Sequence, residues 1–262
     1  MSDSNFFSAY ALRPMRLLFL IVLIVIGLSI LAFVFPFLRQ NQRHDTVLIW
    51  TRALLTILGI RVRSTGFPPD GPALLVANHV SWADPFLLMA RHPMCFVAKA
   101  EIRDWPVLGW LTAQAGTVFI RRDRLRDLLN VSQAFMAQLE AGAAVGMFPE
   151  STTSDGKSLL PFKTALFQVA INARADCYPI AIRYDHPAAV WIEDMGLLSA
   201  VWSVMALKRV TAHIHYCPAI RFHGHDRHTL AQVSATAIAN ALCLSVPRNQ
   251  SEISADLPVL MR

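Results

Sequence analysis

A histidine and an aspartate five positions apart, His79 and Asp84, follow the apolar run Ala73 to Ala77 within Asn78-His79-Val80-Ser81-Trp82-Ala83-Asp84. On one continuous helix the two side chains would point about 140° apart and could not meet. They meet if His79 stands on a strand-to-helix turn and Asp84 in the first turn of the helix that follows. Asp84 then accepts a hydrogen bond from one ring nitrogen of His79, fixes the tautomer, and supports the imidazolium formed when the other nitrogen takes a proton. This is a base and its orienter with no enzyme nucleophile beside them. Ser81 is close in sequence, but the chain has no strand-nucleophile-helix elbow of the G-x-S-x-G kind, which argues against a serine hydrolase. The chemistry indicated is activation of a hydroxyl carried by a substrate.

Other polar residues close other strand-like runs. Gly116 to Arg122 ends in two arginines, Phe148 to Gly156 ends in Glu150 and a series of hydroxyls, and Tyr178 to Ala181 lies on a third run. In open α/β sheets ligands bind at the carboxyl ends of strands. Basic residues placed there, Arg122 with Lys99 and Lys163 near other strand ends, could neutralise a phosphate.

The elements that must position these groups are read from hydrophobic period. Strands are expected at Ala73 to Ala77, Cys95 to Ala98, Thr117 to Ile120, Val145 to Phe148, Tyr178 to Arg183 and Thr211 to Tyr216. Helices are expected at Pro85 to Ala90, Pro106 to Gln114, Leu125 to Glu140, Thr164 to Arg174, Met195 to Leu207 and His228 to Leu244. The alternation implies an α/β domain, a central mixed sheet flanked by helices. Before it, Leu17 to Leu38 carries no charge and has the length of a membrane-crossing helix. Arg13 and Arg16 flank it on one side and Arg39 and Arg43 on the other, so charge does not decide its orientation. Its end in Phe35-Pro36-Phe37-Leu38 is unlike a signal-peptide cleavage site. The next apolar stretch, Thr46 to Ile60, reads as an interfacial helix beside the first, with burial in the globular domain as the other reading. The expected organisation is a membrane anchor over residues 1–65, a catalytic domain over 66–246 and a flexible tail over 247–262.

Composition agrees with an anchored protein. Of 262 residues, 54% are hydrophobic and 16% charged, too apolar for an ordinary cytosolic enzyme, and the length is ample for a core without staples. Only four of the 24 basic residues are lysines, and arginine suits phosphate or headgroup contact as well as it reflects a general bias. Cys95, Cys177, Cys217 and Cys243 are scattered and read as buried, reduced core residues; no Cys/His set has zinc-ligand spacing, so no metal is expected. No basic block interleaved with aromatics suggests nucleic acid.

Four blocks together resemble the glycerolipid acyltransferase family: N-H-x-x-x-x-D at Asn78 to Asp84, G-x-x-F-I-x-R at Gly116 to Arg122, F-P-E-S-T at Phe148 to Thr152 in place of the family's F-P-E-G-T, and a proline-centred apolar block at Tyr178 to Ala181. The resemblance covers roughly Ala73 to Arg183, and the anchor with its second helix also looks like the family's membrane module. It implies that His79 is the general base for a lysolipid hydroxyl and that Asp84 orients it. It also implies that the hydroxyl attacks the thioester of acyl-CoA or acyl carrier protein with no acyl-enzyme and no cofactor. Arg122 would hold the acceptor phosphate, Glu150 and Thr152 would line the acceptor site with Lys99 and Lys163 in support, and Pro179 and Ile180 would belong to the acyl-binding wall. The implied reaction is acylation of the sn-2 hydroxyl of 1-acylglycerol 3-phosphate, at a membrane and on its cytoplasmic face. Two departures bear on the acceptor: Ser151 replaces the family's glycine, and Thr153 stands where many members carry arginine. Acylation of another lysolipid, such as lyso-ornithine lipid, is therefore the alternative. A non-catalytic lipid-binding protein and a thioesterase are the readings from other classes.

Overall fold

The computed structural model describes residues 3–92, 94–105, 109–110, 117–120, 125–140, 142–192 and 195–246. Two helices lead the chain, α1 (Asp3–Phe33) and α2 (Gln40–Leu58), joined by a single 3-10 turn over Phe35–Phe37. Seven strands follow, β1 (Ile60–Thr65), β2 (Ala73–Ala77), β3 (Met94–Lys99), β4 (Val118–Ile120), β5 (Ala144–Met147), β6 (Asp176–Tyr184) and β7 (Val210–Tyr216). Among them lie helices α3 (Asp84–Met89), α4 (Leu125–Glu140), α5 (Phe167–Asn172) and α6 (Leu197–Met205), with α7 (Arg227–Leu242) after β7.

The strands form one sheet in the order β1-β7-β6-β2-β5-β3-β4. Pairing is parallel except between β6 and β7, so the sheet is mixed, as the alternating pattern implies. Because side chains alternate across a strand, β2 supplies both cores. Ala73, Leu75 and Ala77 face one, closed by Leu54, Leu55 and Leu58 of α2, Leu87 and Leu88 of α3, and Val204 and Met205 of α6. Leu74 and Val76 face the other, closed by Val131 and Phe135 of α4, Phe167 of α5, and Leu230 and Ile238 of α7. The carboxyl ends of β2 through β6 thus share one edge of a three-layer domain.

The anchor differs from the sequence reading in its bounds. α1 begins well before Leu17 and stops at Phe33, not Leu38, because Pro36 lacks the N–H that would continue the hydrogen-bond ladder. Its apolar span, Leu12–Phe33, is 22 residues of mean hydropathy 2.8, long and apolar enough to cross a membrane. Two arginines inside or beside the lead helices cap other helices. The Arg16 guanidinium donates to the carbonyls of Met205, Leu207 and Lys208 at the end of α6, and Arg52 donates to Ala90 at the end of α3 (2.9 Å). A cation there meets the unpaired carbonyls and the negative end of the helix dipole. Gly59, at φ 74°, ends α2 and lies against Arg16, where any side chain would collide with the guanidinium.

β1 is an element the sequence reading lacks. It pairs along its length with β7, from Ile60 opposite Val210 to Thr65 opposite His215. α2 runs into it through Gly59, and its Leu54, Leu55 and Leu58 face is buried, as in the second of the two readings of that stretch. Cys243 is the exception among the cysteines: it is exposed, capping α7 in the left-handed conformation at φ 58°. The expected helix at Pro106 to Gln114 and the tail over 247–262 lie largely or wholly outside the described residues.

Candidate active site

β2 ends at Ala77, and the next residue holds the turn that follows. The Asn78 side chain takes the place of a further strand residue: its amide donates to the Ile182 carbonyl (3.0 Å) and its oxygen accepts from the Ile182 N–H (2.7 Å). With its side chain spent on the neighbouring strand, Asn78 lets the main chain leave the sheet. His79 is the first residue off it. The His79 N–H donates to Glu150 Oε1 (2.7 Å), and its carbonyl accepts from the Ser154 N–H (2.8 Å), so the loop after β5 grips its backbone on both sides.

Asp84 opens α3, as the spacing predicts. Its Oδ2 accepts from His79 Nδ1 (2.8 Å), Val80 N–H (2.8 Å) and Ser81 N–H (2.9 Å). Its Oδ1 accepts from the Tyr184 hydroxyl (2.7 Å). The carboxylate is 0% exposed, and four donors compensate for the lost water. Tyr184 closes β6 and was not singled out from sequence; burial, then the Asp84 charge, raise its hydroxyl well above the usual tyrosine range, so it stays a donor. Its signal was a polar residue at the carboxyl end of an apolar strand.

The imidazole is fixed on its face as well as its edge. His79 stacks on Phe148 with centroids 4.2 Å apart, and Phe148 stacks on Phe96 at 5.4 Å. Gly146 makes this column possible, since a β-carbon there would run into the Phe96 ring. With Nδ1–H committed to Asp84, Nε2 is the basic nitrogen. No described residue bonds to Nε2, and the His79 side chain is 18% exposed, so a substrate hydroxyl can reach it. The geometry suits proton removal from an alcohol.

Glu150 is buried, with Oε2 accepting from the Leu160 N–H (2.9 Å) while Oε1 holds His79. It braces the catalytic turn through the backbone. Burial pushes its carboxyl up to about 7 against the backbone hydrogen bonds from Leu160 and His79, which pull it down. Because the folded value is raised, Glu150 contributes most to stability below its ordinary value of 4.5, and that contribution is lost as pH rises through about 7. Between those limits the wild type should therefore lose stability relative to Glu150→Gln in detergent as pH rises, by up to about 1.4 kcal/mol per pH unit, with a constant difference below and above them. A constant offset across that window would contradict the assignment.

Ser151, in the family's glycine position, has φ 68°, a left-handed conformation that disfavours a β-carbon. Its N–H closes a tight turn onto the Phe148 carbonyl (3.1 Å). Ser151→Gly is expected to raise stability by about 1 kcal/mol, seen as a higher melting temperature. An unchanged or lower one would show that the turn carries no strain.

The remaining sequence candidates are placed as follows. Thr152 is half-buried in the same loop, and Lys163, exposed, donates its N–H to the Pro149 carbonyl (2.9 Å). Lys99 closes β3 opposite Ile120. Pro179 and Ile180 are buried in β6, where Ile180 pairs with Ala77 and packs in the core on the α2 face. Arg121 and Arg122 lie outside the described residues. A cavity of ≈ 440 Å³ lies at the opposite edge of the sheet, lined by Asp70, Arg174, Asp176 and Arg221 among others, and holds none of the site residues.

The chain is similar to known proteins. A family model described as Acyltransferase matches residues 59–183. A 1-acyl-sn-glycerol-3-phosphate acyltransferase of Neisseria meningitidis serogroup B is 39% identical over 198 residues, covering 72% of this chain and 78% of that one. A lyso-ornithine lipid O-acyltransferase of Pseudomonas aeruginosa is 37% identical over 244 residues, covering 88% and 92%. The crystal structure of the 1-acyl-sn-glycerophosphate acyltransferase PlsC from Thermotoga maritima matches with a TM-score of 0.70 at 19% identity, covering 97% of this chain and 99% of that one, a likeness of fold.

Proposed function

The chain belongs to the glycerolipid acyltransferase family, and from that premise we propose that it transfers a fatty acyl group from a thioester donor to the sn-2 hydroxyl of 1-acylglycerol 3-phosphate. The observation that carries this is the His79–Asp84 pair, with Nδ1 held at 2.8 Å and Nε2 open. Nε2 removes the acceptor's hydroxyl proton as its oxygen attacks the thioester carbonyl. The tetrahedral intermediate collapses with cleavage of the carbon–sulfur bond, and the imidazolium returns its proton to the departing thiolate. Asp84 stabilises the imidazolium throughout. Every electron pair is accounted for without an oxidant or reductant, so the reaction needs no cofactor beyond the donor, acyl-CoA or acyl carrier protein.

Arg122 is the proposed partner of the acceptor phosphate, supported by its position in the sequence two residues after β4, a strand of the parallel group whose carboxyl ends share the edge that carries the site. The anchor keeps the site at a bilayer, with the catalytic domain on the cytoplasmic face where thioester donors are found. A second reading, acylation of lyso-ornithine lipid, is favoured by the longer match to the Pseudomonas relative and by Thr153, which is buried and uncharged where an arginine would meet a phosphate.

Proteoliposomes given acyl-CoA and either lysophosphatidate or lyso-ornithine lipid separate the two. Product from lysophosphatidate, with Arg122→Ala raising the KM for it by about tenfold, is the expected result. Preference for lyso-ornithine lipid, with Arg122→Ala silent, would replace the acceptor named here and retain the chemistry.

A further inference from the structure

α6 is apolar apart from Ser199 and Ser203. From Met195 to Leu207 the chain carries no charged residue. One stripe of the helix, Ala200, Val204 and Met205, is buried against the domain. Leu198 and Trp202, four residues apart, face outward from the helix, with Leu198 85% exposed, and the exposed Met195 lies just ahead of it. Large apolar side chains left exposed on a helix whose other face is already buried mark an interaction surface.

Its place identifies the occupant. Arg16 binds the carbonyls at the end of α6, and the Arg13 guanidinium lies 5.0 Å from the centre of the Trp202 ring. Both arginines belong to the first turns of the apolar span Leu12–Phe33, whose Leu18, Phe19, Ile21 and Val22 are also exposed. α6 is therefore bolted to the anchor at the level where the span begins. Exposed Lys208 and Arg209 follow directly, suited to anionic headgroups, and tryptophan is favoured at a bilayer interface.

The other end of α6 reaches the catalytic turn. The Trp191 N–H donates to the Val80 carbonyl (2.9 Å), and the Trp191 indole donates to the carbonyl of Met195, just ahead of the helix (2.6 Å). Val80 is the residue after His79 and itself donates to Asp84.

We propose that α6 is a second membrane-contacting element, lying in the headgroup region through Met195, Leu198 and Trp202 and tying the bilayer surface to the turn that carries His79. The inference rests on the anchor reading of Leu12–Phe33 and adds to it a distinct contact beside the site, where a lysolipid would leave the bilayer.

The test uses the full chain with Cys243→Ser, since Cys243 is exposed and the other cysteines are buried. A fluorophore is attached at Leu198→Cys, at Ile26→Cys on α1, or at Val233→Cys on α7 across the sheet, and the protein is reconstituted in phosphatidylethanolamine/phosphatidylglycerol vesicles. Nitroxide lipids with shallow or deep spin labels then quench by depth. An interfacial helix buries its apolar face roughly 5–10 Å deep, so the shallow nitroxide is expected to quench position 198 at least about threefold more than position 233. Position 26 should respond to the deep one. Quenching at 198 no greater than at 233, with 26 quenched, overturns the inference and leaves the anchor intact. If 26 is unquenched as well, the anchor reading falls and the inference with it.

Discussion

His79→Ala is expected to lower kcat/KM for acyl transfer by about 10³-fold while leaving the protein folded. The size follows from what is removed. Nε2 is, among the described residues, the basic nitrogen of the site open to the substrate, and at neutral pH an alcohol is a poor nucleophile unless its proton is taken as it attacks. The survival of the fold follows from how the turn is held. The bonds to Glu150 and Ser154 use the main-chain N–H and carbonyl of residue 79, which alanine keeps. Asp84 retains the Val80 and Ser81 N–H groups and the Tyr184 hydroxyl, so its charge is not orphaned. Far-UV circular dichroism and membrane partition should match the wild type; a loss of activity smaller than about tenfold would remove His79 from the base's role.

Asp84→Asn is expected to cost at least as much, about 10³- to 10⁴-fold in kcat, although no atom of Asp84 touches substrate. The asparagine oxygen can still accept the three donors on the Oδ2 side, and its amide then turns to Tyr184, whose hydroxyl must accept. Geometry is preserved at that price in hydrogen-bond direction, but the negative charge that supports the imidazolium is gone. If the amide is flipped, Nδ2 faces three N–H groups, and the neutral histidine must present Nδ1 as an acceptor, which puts its proton on Nε2 and abolishes the base. Either arrangement lowers kcat with little change in KM. A raised KM with kcat intact would mean that Asp84 shapes the binding site and not the proton transfer.

What could be read from the sequence was local. His79 and Asp84 sit within one turn, so their spacing alone stated the condition for their meeting, and the structure meets it at 2.8 Å. The six expected strands lie where their apolar runs lie. What could not be read depends on residues far apart in the chain. Asn78 with Ile182, Asp84 with Tyr184 and His79 with Glu150 are separated by 104, 100 and 71 residues, and no spacing rule links them. The motif block points to the acceptor site for Glu150, whereas its role as a brace rests on its burial and its two backbone partners, which no spacing in the sequence states. The Phe96–Phe148–His79 column likewise needs the sheet order that sets β3 beside β5 and β5 beside β2.

β1 was missed for a different reason. Its I-R-V-R-S-T pattern alternates as an edge strand should, with Ile60 buried and Arg61 exposed. It follows an apolar helix so closely that the two merge into one hydrophobic stretch. Gly59, the left-handed stop between them, was the available signal.

The central claim is direct transfer from thioester to a lysolipid hydroxyl activated by His79. Release of free thiol from acyl-CoA by the full chain in proteoliposomes, followed with and without lysolipid and in the wild type and His79→Ala, measures it. Thiol release that requires both the acceptor and His79, in a one-to-one ratio with acylated lipid, is the predicted result. Release that proceeds without acceptor, or that persists at the wild-type rate in His79→Ala, would contradict it.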